Sequence, residues 1–130
     1  RDVKPDNVLF DSADKPRLAD FGLAKSMGED FWNQTRAGMP LGTVGYQAPE
    51  QIRDASTCTT MADVFSLGVV LYEMITAELP ARDTPGAVIE EAFSTERLGP
   101  MTDLLRSMLS SDPARRPEAA EVVAVLEEEV

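Results

Sequence analysis

Asp2, Lys4 and Asn7 share the polar run RDVKPDN, and Asp20-Phe21-Gly22 follows downstream. Residues of these types could serve phosphoryl transfer, which asks a protein for little beyond positioning and charge neutralisation. A carboxylate must stand near the incoming hydroxyl and a cation near the transferred phosphate. Hard oxygen donors must hold Mg²⁺. Asp2, Lys4 and the Asn7–Asp20 pair form such a set. Taken singly, each would read as a solvated loop residue, so the ordered set carries the reading.

These residues need elements to position them. Val8-Leu9-Phe10 reads as a short strand and DSADKP, 11–16, as a turn cluster. Arg17-Leu18-Ala19 reads as a second strand, so a hairpin over 8–19 would bring Asn7 and Asp20 together. Residues 24–42 carry Gly28, Gly38, Pro40 and Gly42 without periodicity and read as a long functional loop.

From residue 49 the pattern is helical, beginning with a short helix from Pro49 to Arg53. Thr59 or Thr60 can cap a helix over 61–76 that is apolar on nearly every side. Such a helix should be buried all round. Three one-sided helices are expected after it. Thr84-Pro85 would open 85–93 and Thr102 would open 102–109. Pro117 would open 117–128, with Val122, Val125 and Leu126 inward and a fraying acidic end at Glu127-Glu128-Glu129. Three such helices and a hairpin are too few to enclose 61–76, so further chain before Arg1 is expected to cover the rest.

Composition narrows the classes. The 130 residues allow one domain or part of one, and 43% hydrophobic with 27% charged residues reads as soluble and globular. A net charge of -11 disfavours nucleic-acid binding. With no histidine and a single cysteine, Cys58, the chain holds no Cys/His zinc site, Ser-His-Asp triad or internal disulfide. The lone cysteine fits a reducing compartment. No apolar run reaches membrane-spanning length and no signal peptide is visible. A chain opening on Arg1 reads as a piece of something longer.

RDVKPDN resembles the catalytic loop of eukaryotic-type Ser/Thr protein kinases, without its leading His. DFG at 20–22 resembles the motif that opens their activation segment, and Ala48-Pro49-Glu50 the motif that closes it. ADVFSLGVVLYEM resembles their buried central helix, and DPARRP, 112–117, their late arginine motif. The resemblance runs from residue 1 to about 128. It implies a mainly α fold, the helical C-lobe of the α+β kinase domain, with a short β-hairpin near the N-terminus. It divides 1–130 into a catalytic loop, 1–7, an activation segment, 20–50, and a helical lobe, 51–130, with the N-lobe absent.

The resemblance also implies roles. Asp2 would accept the substrate hydroxyl proton and Lys4 would contact the γ-phosphate of ATP; a Lys at this place is the Ser/Thr pattern. Asn7 and Asp20 would hold Mg²⁺, and Leu9 would pack under the adenine. Thr43 would serve substrate docking, and Glu50 would pair with Arg116. Asp63 would accept backbone N–H bonds from the catalytic loop, and Arg1 would receive an activating phosphate. Thr35 is either that phosphosite or an ordinary loop residue, with Ser26 a second candidate. Glu73 reads basic substrates or is a structural acid. Partners implied are ATP, proteins bearing Ser or Thr, and the absent N-lobe, at a cytoplasmic location or on the cytoplasmic side of a membrane if the parent chain is anchored.

The chain also departs from the pattern. It has no G-x-G-x-x-G and no strand-borne Lys facing a helical Glu. Phe65 stands where the family usually has Trp, and Ala77-Glu78-Leu79-Pro80-Ala81 replaces a Gly-x-x-Pro-Phe pattern. Two function classes stay open: an active Ser/Thr kinase, inactive as this fragment, or a pseudokinase or truncated regulatory module. Retention of Asp2, Asn7 and Asp20 favours the first. A small-molecule phosphotransferase is disfavoured by the Ala-Pro-Glu segment and the apolar helix.

Overall fold

A computed structural model describes residues 2–19, 45–54, 56, 59–83 and 86–129. A 3₁₀ turn, Pro5–Asn7, leads into β1, Val8–Phe10, which pairs antiparallel with β2, Pro16–Leu18. The register sets Val8 against Leu18 and Phe10 against Pro16. β2 thus starts one residue earlier than expected. Pro16 has no N–H to donate but tolerates this edge position, and Ala19 donates its N–H to the Asn7 carbonyl at 2.7 Å. Asp11 shapes the turn: its Oδ1 accepts the N–H groups of Ala13 and Lys15, at 2.9 and 3.0 Å. Its Oδ2 accepts from Arg17 Nε at 3.0 Å. The bonds from Lys15, Ala13 and Arg17, in that order, hold the Asp11 carboxyl below its ordinary value.

Pro49–Arg53 forms α1, and Thr60–Thr76 forms α2, the centre of the molecule. Thr59 caps α2, its side chain accepting the Met61 N–H at 3.3 Å. The helix stops at Ala77, which adopts a left-handed conformation, φ 63°, and donates its N–H to the Glu73 carbonyl at 2.7 Å. That conformation suits glycine and strains alanine.

Two clusters pack on α2. One joins Phe65, Val69 and Tyr72 to Ala48, Phe93, Leu98, Leu105 and Leu109. The other joins Val64 to Leu104, Met108 and Val122. Gly68 lets the neighbouring helix approach, since a Cβ there would lie 3.0 Å from the Met108 Cβ. The described residues do not enclose α2 on every side, in keeping with the shortage of partners noted above: Met74 is 76% exposed and Leu67 36%. Leu67 lines an open apolar groove of about 500 Å³ between the hairpin, α2 and residues 118–119, bordered by Val3, Val8, Val64 and Val70.

The expected helix over 85–93 is corrected. Arg82 and Val88 form an isolated antiparallel bridge, and a 3₁₀ helix spans Glu90–Ser94. The turn between them is closed by Asp83: its carboxylate accepts the Ala87 N–H at 2.8 Å and its carbonyl accepts the Gly86 N–H at 2.9 Å. Gly86 takes φ +91°, a value open mainly to glycine, and a Cβ there would lie 2.7 Å from Ile52 Cδ1. Thr84 and Pro85 lie outside the described residues.

A further 3₁₀ stretch, Glu96–Met101, bends at Gly99 and runs into α3, Thr102–Met108. Thr102 opens α3 by donating its hydroxyl to the Gly99 carbonyl at 2.8 Å. The last helix, α4, spans Ala119–Glu129, two residues later than expected at its start. The Glu121 carboxylate accepts the Glu118 N–H at 2.8 Å and so organises that start. Its buried stripe is narrower than expected: Val122 is 1% exposed, whereas Val125 faces solvent at 38%. The architecture is mostly helical with one two-stranded hairpin.

Candidate active site

The catalytic-loop residues converge. Asn7 is buried and donates its side-chain amide to the Asp2 carbonyl at 2.7 Å and to Asp2 Oδ2 at 3.1 Å. Lys4 Nζ stands 3.4 Å from the same Oδ2. The Pro5–Asn7 turn makes this possible by folding the chain back, with the Asn7 N–H donated to the Lys4 carbonyl at 3.0 Å. The Asp2 side chain stays 45% exposed, so a carboxylate fixed from one side is open to an incoming hydroxyl from the other. Asn7 spends its N–H₂ on Asp2 and keeps Oδ1 as a hard oxygen donor, which suits Mg²⁺.

Asp20 lies outside the described residues, but Ala19, its neighbour in sequence, is bonded to Asn7. Leu9 is 57% exposed on the hairpin. Arg1, Ser26, Thr35, Thr43 and Cys58 also lie outside the described residues.

The second part of the site is the segment 45–50. At its far end Glu50 and Arg116 pair as expected, across 66 residues of sequence. Arg116 Nη1 and Nη2 donate to the two carboxylate oxygens at 2.6 and 2.8 Å. The guanidinium also donates to the carbonyls of Met61 at 2.8 Å and Ser110 at 2.9 Å. Bidentate geometry and full burial of the Arg116 side chain set this pair apart from a surface ion pair. Burial pushes the Glu50 carboxyl up, but the Arg116 hydrogen bond and the charges of Arg116 and Arg53 outweigh it and hold the group below its ordinary value.

Nearer the start of the segment, Tyr46 donates its hydroxyl to Glu73 Oε2 at 2.6 Å. Burial, and then this bond to a carboxylate, push the phenol up to about 12. Ala48 is fully buried, and its N–H is accepted by the Gln51 side chain at 2.9 Å, which caps α1.

Arg82 completes the arrangement. Its Nη2 donates to the Gly45 carbonyl and its Nη1 to the Gln47 carbonyl, each at 2.7 Å. A longer bond of 3.3 Å reaches Gly86. Among the described residues no carboxylate pairs with it and its Nε has no hydrogen-bond partner. Burial pushes the guanidinium down to about 10. The guanidinium carbons of Arg82 and Arg116 both lie 4.9 Å from the centroid of the Phe65 ring.

Asp63 stands half-buried in the first turn of α2 and lines the groove together with Val3 and Val8. Sequence reasoning missed Arg82 and the Tyr46–Glu73 bond. The only local signal was that Arg82 directly follows the stretch 77–81 that departs from the pattern. Among the described residues no cluster of three His, Cys, Asp or Glu could hold a metal, and no helix is long and apolar enough to cross a membrane.

A family model described as protein kinase domain matches residues 1–125. The chain is 32% identical over 126 residues, 97% of its length, to LysM domain receptor-like kinase 3 of Arabidopsis thaliana. It is 45% identical over 80 residues, 62% of its length, to receptor-like protein kinase 7 of the same plant. It is 41% identical over 80 residues, again 62% of its length, to serine/threonine-protein kinase PknL of Mycobacterium tuberculosis. It spans 16%, 8% and 19% of those three proteins' own lengths.

Proposed function

This chain belongs to the protein kinase domain family, with serine/threonine kinases among its relatives, and from that membership we propose that its parent protein transfers the γ-phosphate of ATP to Ser and Thr hydroxyls of protein substrates. The observation that carries the reading is the Asp2–Lys4–Asn7 cluster, in which one carboxylate oxygen is bonded to Asn7 and faced by an ammonium. Asp2 accepts the hydroxyl proton as the bond to phosphorus forms. Lys4 offsets charge on the transferred group. Asn7 keeps Asp2 in place and, with Asp20, would hold Mg²⁺, which supplies neutralisation of phosphate charge when bound.

The protein substrate would lie against the segment that contains Thr43 and continues through Gly45–Gln47, as the resemblance implies. Activity is proposed for the full-length protein, in a reducing, cytoplasm-facing location. The 130-residue chain holds no G-x-G-x-x-G for the ATP phosphates and is expected to be inactive alone.

The test replaces Asp2 in the full-length protein. Asp2→Asn should lower kcat on a Ser peptide by about 10²- to 10⁴-fold, the usual contribution of a positioned general base, without changing the melting temperature. Wild-type turnover by the variant would remove Asp2 from the chemistry.

A further inference from the structure

Two arginines fasten the segment 45–50, and they do so differently. Arg116 holds the end at Glu50 through a carboxylate. Arg82 holds the beginning through main-chain carbonyls alone, those of Gly45 and Gln47. Both guanidiniums rest on one ring, that of Phe65, which is fully buried. The segment is therefore pinned at both ends over a common floor.

Arg82 is an expensive way to fill space. A guanidinium withdrawn from water costs more than an aliphatic chain of similar size packed on Phe65, particularly with no carboxylate opposite it among the described residues. What it supplies, and an aliphatic chain does not, is a rigid planar fork that sets the direction of two carbonyls. Those carbonyls lie 35 and 37 residues away in sequence. Arg82 is itself fixed by the turn through Asp83 and Gly86. It touches none of Asp2, Lys4 or Asn7 through any bond described above.

We propose that Arg82 is a positioning residue for the protein substrate: its fork sets the conformation of Gly45–Gln47, against which the acceptor peptide lies. This rests on the kinase reading of the same segment. It separates peptide binding from ATP binding, because the contacts of Arg82 run to the peptide-facing segment and not to the catalytic loop.

The experiment uses the full-length protein with a Ser peptide, varying peptide and ATP in turn, for the wild type, Arg82→Met and Arg82→Lys. Arg82→Met keeps an apolar stem on Phe65 and removes the charge-assisted bonds to Gly45 and Gln47 together with the longer one to Gly86. Its peptide KM should rise about tenfold or more, with the ATP KM unchanged. Arg82→Lys keeps the charge but not the fork and should raise peptide KM by a smaller factor, about threefold. A merely structural role would lower the melting temperature and the active fraction while leaving the peptide KM of the folded enzyme at its wild-type value, and that result overturns the proposal. Equal rises in both KM values also overturn it. If Arg82→Met does not fold, Arg82→Lys decides by the same criterion. No peptide phosphorylation by the wild type would instead overturn the kinase reading, and the role of Arg82 with it.

Discussion

The hairpin end of the molecule and the α2 centre are built on opposite terms. Around Asp2 the elements are thin. β1 and β2 are three residues each, and Leu9 and Phe10 are 57% and 69% exposed. Around α2, Phe65 and Val69 are fully buried and Arg116 has no exposed side-chain surface. The candidate chemistry thus sits on the more thinly packed of these two regions, held by local hydrogen bonds that Asn7 donates and Asp11 accepts. Stability resides in the other region, to which the segment 45–50 is bonded through Glu73, Arg82 and Arg116. Loss of a group should therefore damage chemistry in the first region and folding in the second.

The largest effect on folding is expected at Arg116. Arg116→Ala leaves Glu50 and two carbonyls without their donor in a site where water scarcely reaches, and removal of one partner of a buried pair costs about 3–5 kcal/mol. The Glu50 side chain keeps 14% exposure, which places the expectation near about 3 kcal/mol, read as a lower midpoint in urea. The pair also fixes a pH dependence. Glu50 titrates below its ordinary value of 4.5, so its contribution is fully present above that pH and is lost as pH falls through the folded-state value. Arg116→Ala should flatten that acid limb of stability. An unchanged limb would mean that Glu50 is not the group responsible.

A smaller effect, of opposite sign, is expected at Ala77. A left-handed residue with a Cβ costs about 1–2 kcal/mol, and the greater freedom of glycine in the unfolded chain returns part of that. Ala77→Gly should therefore stabilise by about 0.5–1 kcal/mol in denaturant melts. Destabilisation would show that the strain is not real. The smallest effect is expected at the hairpin. Arg17 and Asp11 pair at 3.0 Å with the Arg17 side chain 68% exposed, and such surface pairs often contribute nothing measurable. Arg17→Ala should leave the melting temperature unchanged within error. A clear drop would mean that the hairpin contributes more to folding than its exposure suggests.

What the sequence disclosed follows the same division. The position of α2 was legible because its apolar run admits only a central location, and Glu50 could be matched to Arg116 because each belongs to a motif with a fixed place. The Asp2–Lys4–Asn7 cluster was legible because a short turn must bring residues so close in sequence together. The 85–93 region was misread because its cap-like Thr-Pro pattern competes with Asp83 and Gly86, whose turn is decided by one carboxylate and one positive φ. Val125 was misplaced because the buried stripe of α4 is narrower than its apolar composition. Arg82 was invisible because its partners are backbone carbonyls, which no side-chain pattern encodes. Asp20, Thr35 and Thr43 lie outside the described residues, and their roles rest on the proposal.

Which hydroxyl the full-length protein labels decides whether it is a Ser/Thr kinase. Purified protein would be incubated with γ-labelled ATP, Mg²⁺ and peptides that differ only in carrying Ser, Thr or Tyr, and the label would be assigned to its residue. Label is expected on Ser and Thr, none on Tyr, and none without Mg²⁺. Label on Tyr, or no transfer in the presence of Mg²⁺ and ATP by folded full-length protein, would contradict the Ser/Thr kinase reading.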